Sequence, residues 1–79
     1  MALVRKLEHG SKQRQLLHEK VDCLYTEFSD KDGNRYLQLD TFGRPTRKLA
    51  GKVSQSLQFD KAALIDLRKI IDGVIGNQS

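Results

Sequence analysis

Two seven-residue segments with alternating side chains constrain the fold of this chain more than any other feature. Residues 36–42 and residues 53–59 each alternate between two sets of side chains: Leu37, Leu39 and Thr41 point one way in the first, and Val53, Gln55, Leu57 and Phe59 one way in the second. A period of two over this length is typical of a half-buried β-strand. The aliphatic and aromatic side chains that share the apolar side of the two segments are Leu37, Leu39, Leu57 and Phe59. The sequence therefore predicts two strands of a sheet with one apolar face.

A basic segment, residues 43–52 (GRPTRKLAGK), joins these two strands. Pro45 and the glycines at its two ends disfavour helix, so we predict a loop. It contains four bases and no acid, namely Arg44, Arg47, Lys48 and Lys52. A basic loop carried by a sheet with one polar face is a surface suited to phosphate groups.

A third strand is predicted over residues 21–28 (VDCLYTEF), which are rich in β-branched and aromatic residues. The SDKDGN segment that follows is typical of a turn, with Gly33 supplying a positive φ that closes a hairpin. In that hairpin Tyr25 or Phe28 would pair across the strands with Tyr36 or one of its neighbours.

Helices are predicted at both ends of the strand region. Ser11 is a suitable N-cap for a basic helix that runs from residue 12 to about residue 21, and Asp60 caps an amphipathic helix over residues 61–75. The predicted fold is α+β: an N-terminal helix, a three-stranded antiparallel β-meander, and the C-terminal helix packed on one sheet face. Residues 1–10 would form a flexible arm, residues 11–76 one domain, and residues 77–79 a polar tail.

Composition favours an anionic partner. The 79 residues carry a net charge of +4, and the segment 35–59 alone has five bases against the single acid Asp40. A merely solvated basic surface is the alternative explanation. The lone Cys23 and the absence of a long apolar run predict a cytoplasmic protein that does not cross a membrane. Because so short a chain buries little apolar surface, a homodimer is expected.

Catalysis has no support in the sequence. Cys23 and the two histidines, His9 and His18, lack the spacing of a metal site or of a nucleophile and its base, and we predict that Cys23 is buried and structural. The Asp30–Asp32 pair lies in a predicted turn and lacks the glutamate that completes a calcium loop. We therefore expect no enzyme, no metal, no cofactor and no small-molecule substrate.

Nucleic-acid binding is the function that the residues favour, with single-stranded DNA preferred and RNA as the second candidate. Single strands are held by cationic grooves and by aromatic rings that stack on bases. The predicted contact residues are Arg35, Tyr36, Phe42, Arg44, Arg47, Lys48 and Lys52, with Lys12 and Arg14 from the N-terminal helix. Alternatively, Tyr36 and Phe42 are core residues beneath that helix. The competing function is a protein-interaction module or regulatory subunit that docks a partner through Leu3, Val4 and Leu7.

The segment from residue 35 to residue 75 resembles the DNA-binding domain of the transcriptional positive cofactor four family. The resemblance lies in a strand that ends in an aromatic residue (LQLDTFG), a Gly- and base-rich loop (RPTRKLAGK), and a short strand (SQSLQF) leading into a capped helix (DKAALIDLRKIID). It implies a dimeric platform for single-stranded DNA, used in transcription or DNA metabolism. The family's loop contacts would correspond to the four bases of segment 43–52 and its stacking residue to Phe42 or Tyr36. The dimer interface would comprise Leu64, Leu67, Ile71 and Val74. At its front the family has another strand, where this sequence predicts a helix.

Overall fold

A computed structural model describes residues 1–11, 15–42 and 53–76 of the chain. Its elements are, in order, β1 (Ala2–Val4), β2 (Cys23–Ser29), β3 (Arg35–Phe42), β4 (Val53–Phe59) and α1 (Lys61–Gly76). The strands form one four-stranded sheet in the order β1-β4-β3-β2. The β1–β4 pair is parallel and the other two pairs are antiparallel. The class α+β is confirmed, but the predicted three-stranded antiparallel meander is wrong.

The additional strand, β1, comes from residues that the sequence assigned to the arm. Ala2 lies opposite Leu57 and Val4 opposite Phe59, so β1 covers the edge of β4 that the meander would have left open. Pairing satisfies backbone groups of β4 that would otherwise face solvent. Three residues are too few to show a period of two, which is why the sequence pattern did not reveal this strand.

The predicted N-terminal helix is also wrong. Among the described residues between 11 and 22 the chain forms no helix, while residues 12–14 of the predicted helix lie outside the described part. Leu16 and Leu17, the apolar residues meant to pack on the sheet, are 80% and 99% exposed. A short helix is stable only when its apolar side is packed, and these two leucines are exposed instead.

The β2–β3 hairpin forms as its turn residues predict. Gly33 has a φ of 87°, a value that other residues rarely adopt. The Asp30 carboxylate accepts hydrogen bonds from the backbone N–H of Asp32 (2.9 Å) and of Asn34 (3.0 Å). This turn sets the register in which Phe28 lies opposite Tyr36.

The packed core lies where α1 begins. The Asp60 carboxylate accepts a hydrogen bond from the backbone N–H of Ala63 (2.9 Å), which confirms the predicted N-cap. Phe59 is 6% exposed and Ala63 is fully buried. Leu64 borders a depression with Glu27, Arg35 and Leu37, and Tyr36 lines the same depression at its edge. Glu27, Arg35 and Leu37 share the face of Phe59, so α1 lies on that side of the sheet. We call this the apolar face.

Beyond its second turn α1 packs little against the sheet. The aliphatic side chains of its C-terminal half remain 44–64% exposed, namely Ile70, Ile71, Val74 and Ile75. The predicted apolar stripe thus exists, but this chain alone buries only the start of it.

Candidate nucleic-acid interface

The sheet face opposite α1 carries the connected side-chain hydrogen bonds of β3 and β4, and we call it the polar face. Residues that lie opposite each other on neighbouring strands share a face. The pairs Gln38–Gln58, Asp40–Ser56 and Phe28–Tyr36 therefore lie together on the polar face, with Thr26 and Leu24 from β2 and Leu3 from β1. No described helix or strand packs across this face.

A chain of hydrogen bonds connects the polar face across β3 and β4. The Gln58 side-chain amide donates to Oε1 of Gln38 (2.8 Å), and the Gln38 amide donates to both oxygens of Asp40 (3.0 and 3.1 Å). The Ser56 hydroxyl also donates to Asp40. Because each amide is fixed by its neighbour, the orientation of the donors and acceptors is set before any ligand arrives.

An aromatic pair lies beside this row. The rings of Phe28 and Tyr36 stack with their centroids 5.3 Å apart and their planes inclined by 19°. The Tyr36 hydroxyl donates a hydrogen bond to Asp30 (3.0 Å), and both rings are half-buried. The contact confirms the predicted pairing of Phe28 with Tyr36. Stacked rings on an open sheet face are the kind of surface on which bases stack.

The hairpin hydrogen bonds shift two pKa values. The side-chain hydrogen bond from Asn34, helped by those from backbone N–H groups and from Tyr36, lowers the pKa of Asp30, although partial desolvation opposes the effect. The same Tyr36–Asp30 hydrogen bond, with desolvation and the charge of Asp30, raises the pKa of Tyr36. The tyrosine therefore keeps its proton and its orientation at neutral pH.

Arg35, a predicted contact residue, does not lie with Tyr36. Its guanidinium donates a hydrogen bond to the Ser29 hydroxyl (3.1 Å) and lies 3.6 Å from the Glu27 carboxylate, on the face opposite Tyr36. Both charged side chains of this ion pair are exposed, so the pair contributes little to stability. Arg35 is separated by the sheet from the hydrogen-bonded row.

Phe42 ends β3 opposite Val53, at a register irregularity, and is half-buried. The segment 43–52 connects these two paired residues, so both of its attachment points lie at the same end of the sheet. The remaining predicted contact residues lie outside the described residues, namely Arg44, Arg47, Lys48, Lys52, Lys12 and Arg14.

The predicted dimer residues divide into two groups. Leu64 and Leu67 are half-buried near the sheet, whereas Ile71 and Val74 are 44% and 57% exposed. Only the second pair is largely available to another molecule.

Cys23 is exposed, so the prediction that it is buried is wrong. It is the first residue of β2, which forms an edge of the sheet. Within the described residues no three His, Cys, Asp or Glu side chains gather as a metal site would require. No helix in the described part is both long and apolar enough to span a membrane.

Sequence reasoning did not include Phe28, Asp40 or Leu3 among the site residues. The alternation in residues 36–42 already placed Asp40 on the face of Tyr36 and Phe42, but Asp40 was not chosen as a site residue. In the structure it accepts three of the hydrogen bonds on the polar face. Leu3 was named only as a docking residue of the competing interaction module, because its place beside Gln58 depends on the unforeseen β1.

Comparison with known proteins places the chain in no group: no family model, no curated protein and no solved structure matches it.

Proposed function

We propose that this protein binds nucleic acid, with single-stranded DNA preferred over RNA, through the polar face and the basic segment 43–52. The observation that carries the proposal is the division of the sheet into two faces. One face packs α1, and the other carries the half-buried amides of Gln38 and Gln58 and a stacked aromatic pair with no described helix or strand over them, while the Ser56 hydroxyl beneath is buried. Amides and aromatic rings on an open sheet are the groups that contact unstacked bases.

Charge supplies the second support. The net charge is +4, and four bases lie in the segment that joins Phe42 to Val53 at one end of the sheet. Phosphate neutralisation would provide most of the affinity, and the polar face would meet the bases. Work in transcription or DNA metabolism, in the cytoplasm, is the setting that we propose for this activity.

The element order is consistent with the proposed resemblance to the transcriptional positive cofactor four family. The sequence predicted a helix at the front, where that family has another strand, and the chain has the strand β1 there. A capped helix follows the last strand directly, as in the quoted motif. Membership in the family remains a proposal.

The decisive experiment is fluorescence anisotropy with a labelled single strand, compared with matched duplex and RNA, over a range of salt concentrations. A loop variant has Arg44, Arg47, Lys48 and Lys52 changed to Ala. The matched control removes the same number of charges elsewhere, from exposed bases on the hairpin turn and α1, namely Lys31, Lys61, Arg68 and Lys69.

We expect the wild type to bind in a salt-sensitive way and the loop variant to lose most of its affinity. Each lost phosphate contact reduces the slope of log affinity against log salt by about 0.7 for a single strand, so four contacts reduce it by about 3. The control variant should bind nearly as the wild type does. Equal losses in both variants would show that only net charge matters, and no binding at micromolar protein and low salt would refute the proposal.

We also propose that the chain forms a homodimer through the exposed half of α1. Within the described residues only Phe59 and Ala63 are buried hydrophobic residues, while four aliphatic side chains of one helix face solvent. A uniformly aliphatic patch can pack against its own copy about a two-fold axis, since it needs no complementary charge.

Sedimentation equilibrium tests this interface. A variant with Ile71→Lys and Val74→Lys should be monomeric, because it places two ammonium groups in the proposed contact. A control with Leu24→Lys, on the far side of the sheet, should remain a dimer. A wild type that is monomeric at high concentration would refute the dimer. Salt-insensitive association of this surface with a different protein, without nucleic-acid binding, would favour the interaction module instead.

A further inference from the structure

We infer that a depression on the polar face receives one nucleobase and prefers guanine, an inference that rests on the proposed function. The depression measures about 450 Å³, within the range of roughly 300–1,000 Å³ found for ligand pockets. It combines four apolar residues with four polar ones, namely Met1, Ala2, Leu3 and Val53 with Gln38, Asp40, Ser56 and Gln58. A base needs the same combination, because its flat surface is apolar and its edge is polar.

The polar side of the depression has more free acceptors than donors. A carboxylate such as Asp40 only accepts hydrogen bonds and has about four acceptor sites, of which Gln38 and Ser56 use three. Gln38 directs its amide at Asp40, and Gln58 directs one N–H at Gln38. Among the described residues no donor is bonded to Oε1 of Gln58. A ligand whose edge carries hydrogen-bond donors is therefore complementary to this lining.

Among the bases, guanine has the edge that best matches a lining with free hydrogen-bond acceptors. Its Watson–Crick edge presents two adjacent donors, the ring N1–H and the exocyclic amine. Thymine and uracil present one N–H between two carbonyl acceptors, and adenine and cytosine present one amine beside an acceptor nitrogen. Hydrogen bonds to the Asp40 carboxylate would be charge-assisted and thus stronger than those between neutral groups. The same charge repels phosphate, so a base rather than the backbone should enter here.

The β1 strand makes this site different from a flat sheet. Leu3 lies opposite Gln58 and is 53% exposed, so it flanks the polar row at its outer edge. An aliphatic side chain at that place can contact the flat surface of a base whose edge bonds to the row. The contact adds apolar burial without selecting among bases, which leaves selection to Asp40 and Gln58.

The test is binding of labelled oligothymidines of about 12 nucleotides, a length within the usual site sizes for single strands. One has thymine throughout, and the others have a single guanine, adenine or cytosine near the centre. A single guanine avoids self-association of guanine-rich strands. We expect the guanine strand to bind about tenfold more tightly than the all-thymine strand, a typical gain for a good side-chain contact to a base edge.

Two variants test which residues cause the preference for guanine. Asp40→Asn should abolish the gain for guanine, and far-UV circular dichroism checks that the variant is folded. Gln58→Met should reduce the gain, and Gln55→Met is its matched control, because Gln55 lies on the same strand but pairs with Thr41 on the opposite face. If Asp40→Asn does not fold, the comparison of the two glutamine variants decides.

The outcomes separate this inference from the function on which it rests. Equal wild-type binding of all four strands would overturn the guanine preference and leave the proposed function standing. A guanine preference that persists in Asp40→Asn and in Gln58→Met would also overturn the inference, because the preference would then arise elsewhere. Failure to bind any strand would overturn both.

Discussion

The stability of this domain should depend heavily on one side chain, Phe59. It is 6% exposed and ends β4 just before α1, in which Ala63 is fully buried. Replacing a buried phenylalanine by alanine typically costs about 3–5 kcal/mol. A chain of 79 residues has a total stability of about 4–12 kcal/mol at about 0.05–0.15 kcal/mol per residue. Phe59→Ala should therefore remove about a quarter or more of the free energy of unfolding.

Urea denaturation followed by far-UV circular dichroism measures this loss. Phe59→Leu fills part of the cavity and should cost about 1–2 kcal/mol, between the wild type and the alanine variant. Leu24→Ala serves as the control: Leu24 is 58% exposed, so the change should cost less than about 1 kcal/mol. If Phe59→Ala lowered stability no more than Leu24→Ala does, Phe59 would not be the centre of the core, and the position of α1 on the sheet would be wrong.

Three further substitutions test local features. Asp60→Ala should lower the free energy of unfolding by about 1 kcal/mol through loss of the N-cap, and thermal melting should show Asp60→Asn to be milder because it keeps an acceptor. Gly33→Ala meets no neighbouring atom but must adopt a φ of 87°, so calorimetry should show a destabilisation of about 1–2 kcal/mol. In a Tyr25→Phe background, tyrosinate absorbance should place the pKa of Tyr36 above its ordinary value, and Asp30→Asn should lower it. Because the folded-state pKa is the higher one, the stability from this hydrogen bond is present below the ordinary pKa and is lost as pH rises through the folded-state value.

The middle and the end of the chain were predictable because their signals are local. The alternation in residues 53–59 predicts β4 with its observed bounds, Val53–Phe59, and Asp60 marks the start of α1. The alternation in residues 36–42 likewise places Tyr36, Gln38 and Asp40 on one face, which agrees with the register of β3.

The front of the chain was not predictable because its structure depends on contacts that are distant in sequence. Leu3, Val4 and Leu7 have a spacing that suits a helical turn, yet Val4 lies opposite Phe59 in a parallel pair. No local pattern indicates that partner. Leu16 and Leu17 suggested a packed helix because they are apolar. Their apolar character did not reveal that both side chains remain exposed. Arg35 and Tyr36 were grouped by chemistry, although neighbouring residues of a strand point to opposite faces.

The parallel pairing of β1 with β4 has a consequence for the order in which the chain folds. Ala2 and its partner Leu57 are separated by most of the sequence, whereas the β2–β3 hairpin needs only its own short turn. Closing the longer loop costs more chain entropy, so the hairpin can form early and β1 should join late. During synthesis β1 leaves the ribosome first but has to wait for β4 to emerge. Until then the sheet keeps an open edge, and the depression beside Leu3 does not yet exist.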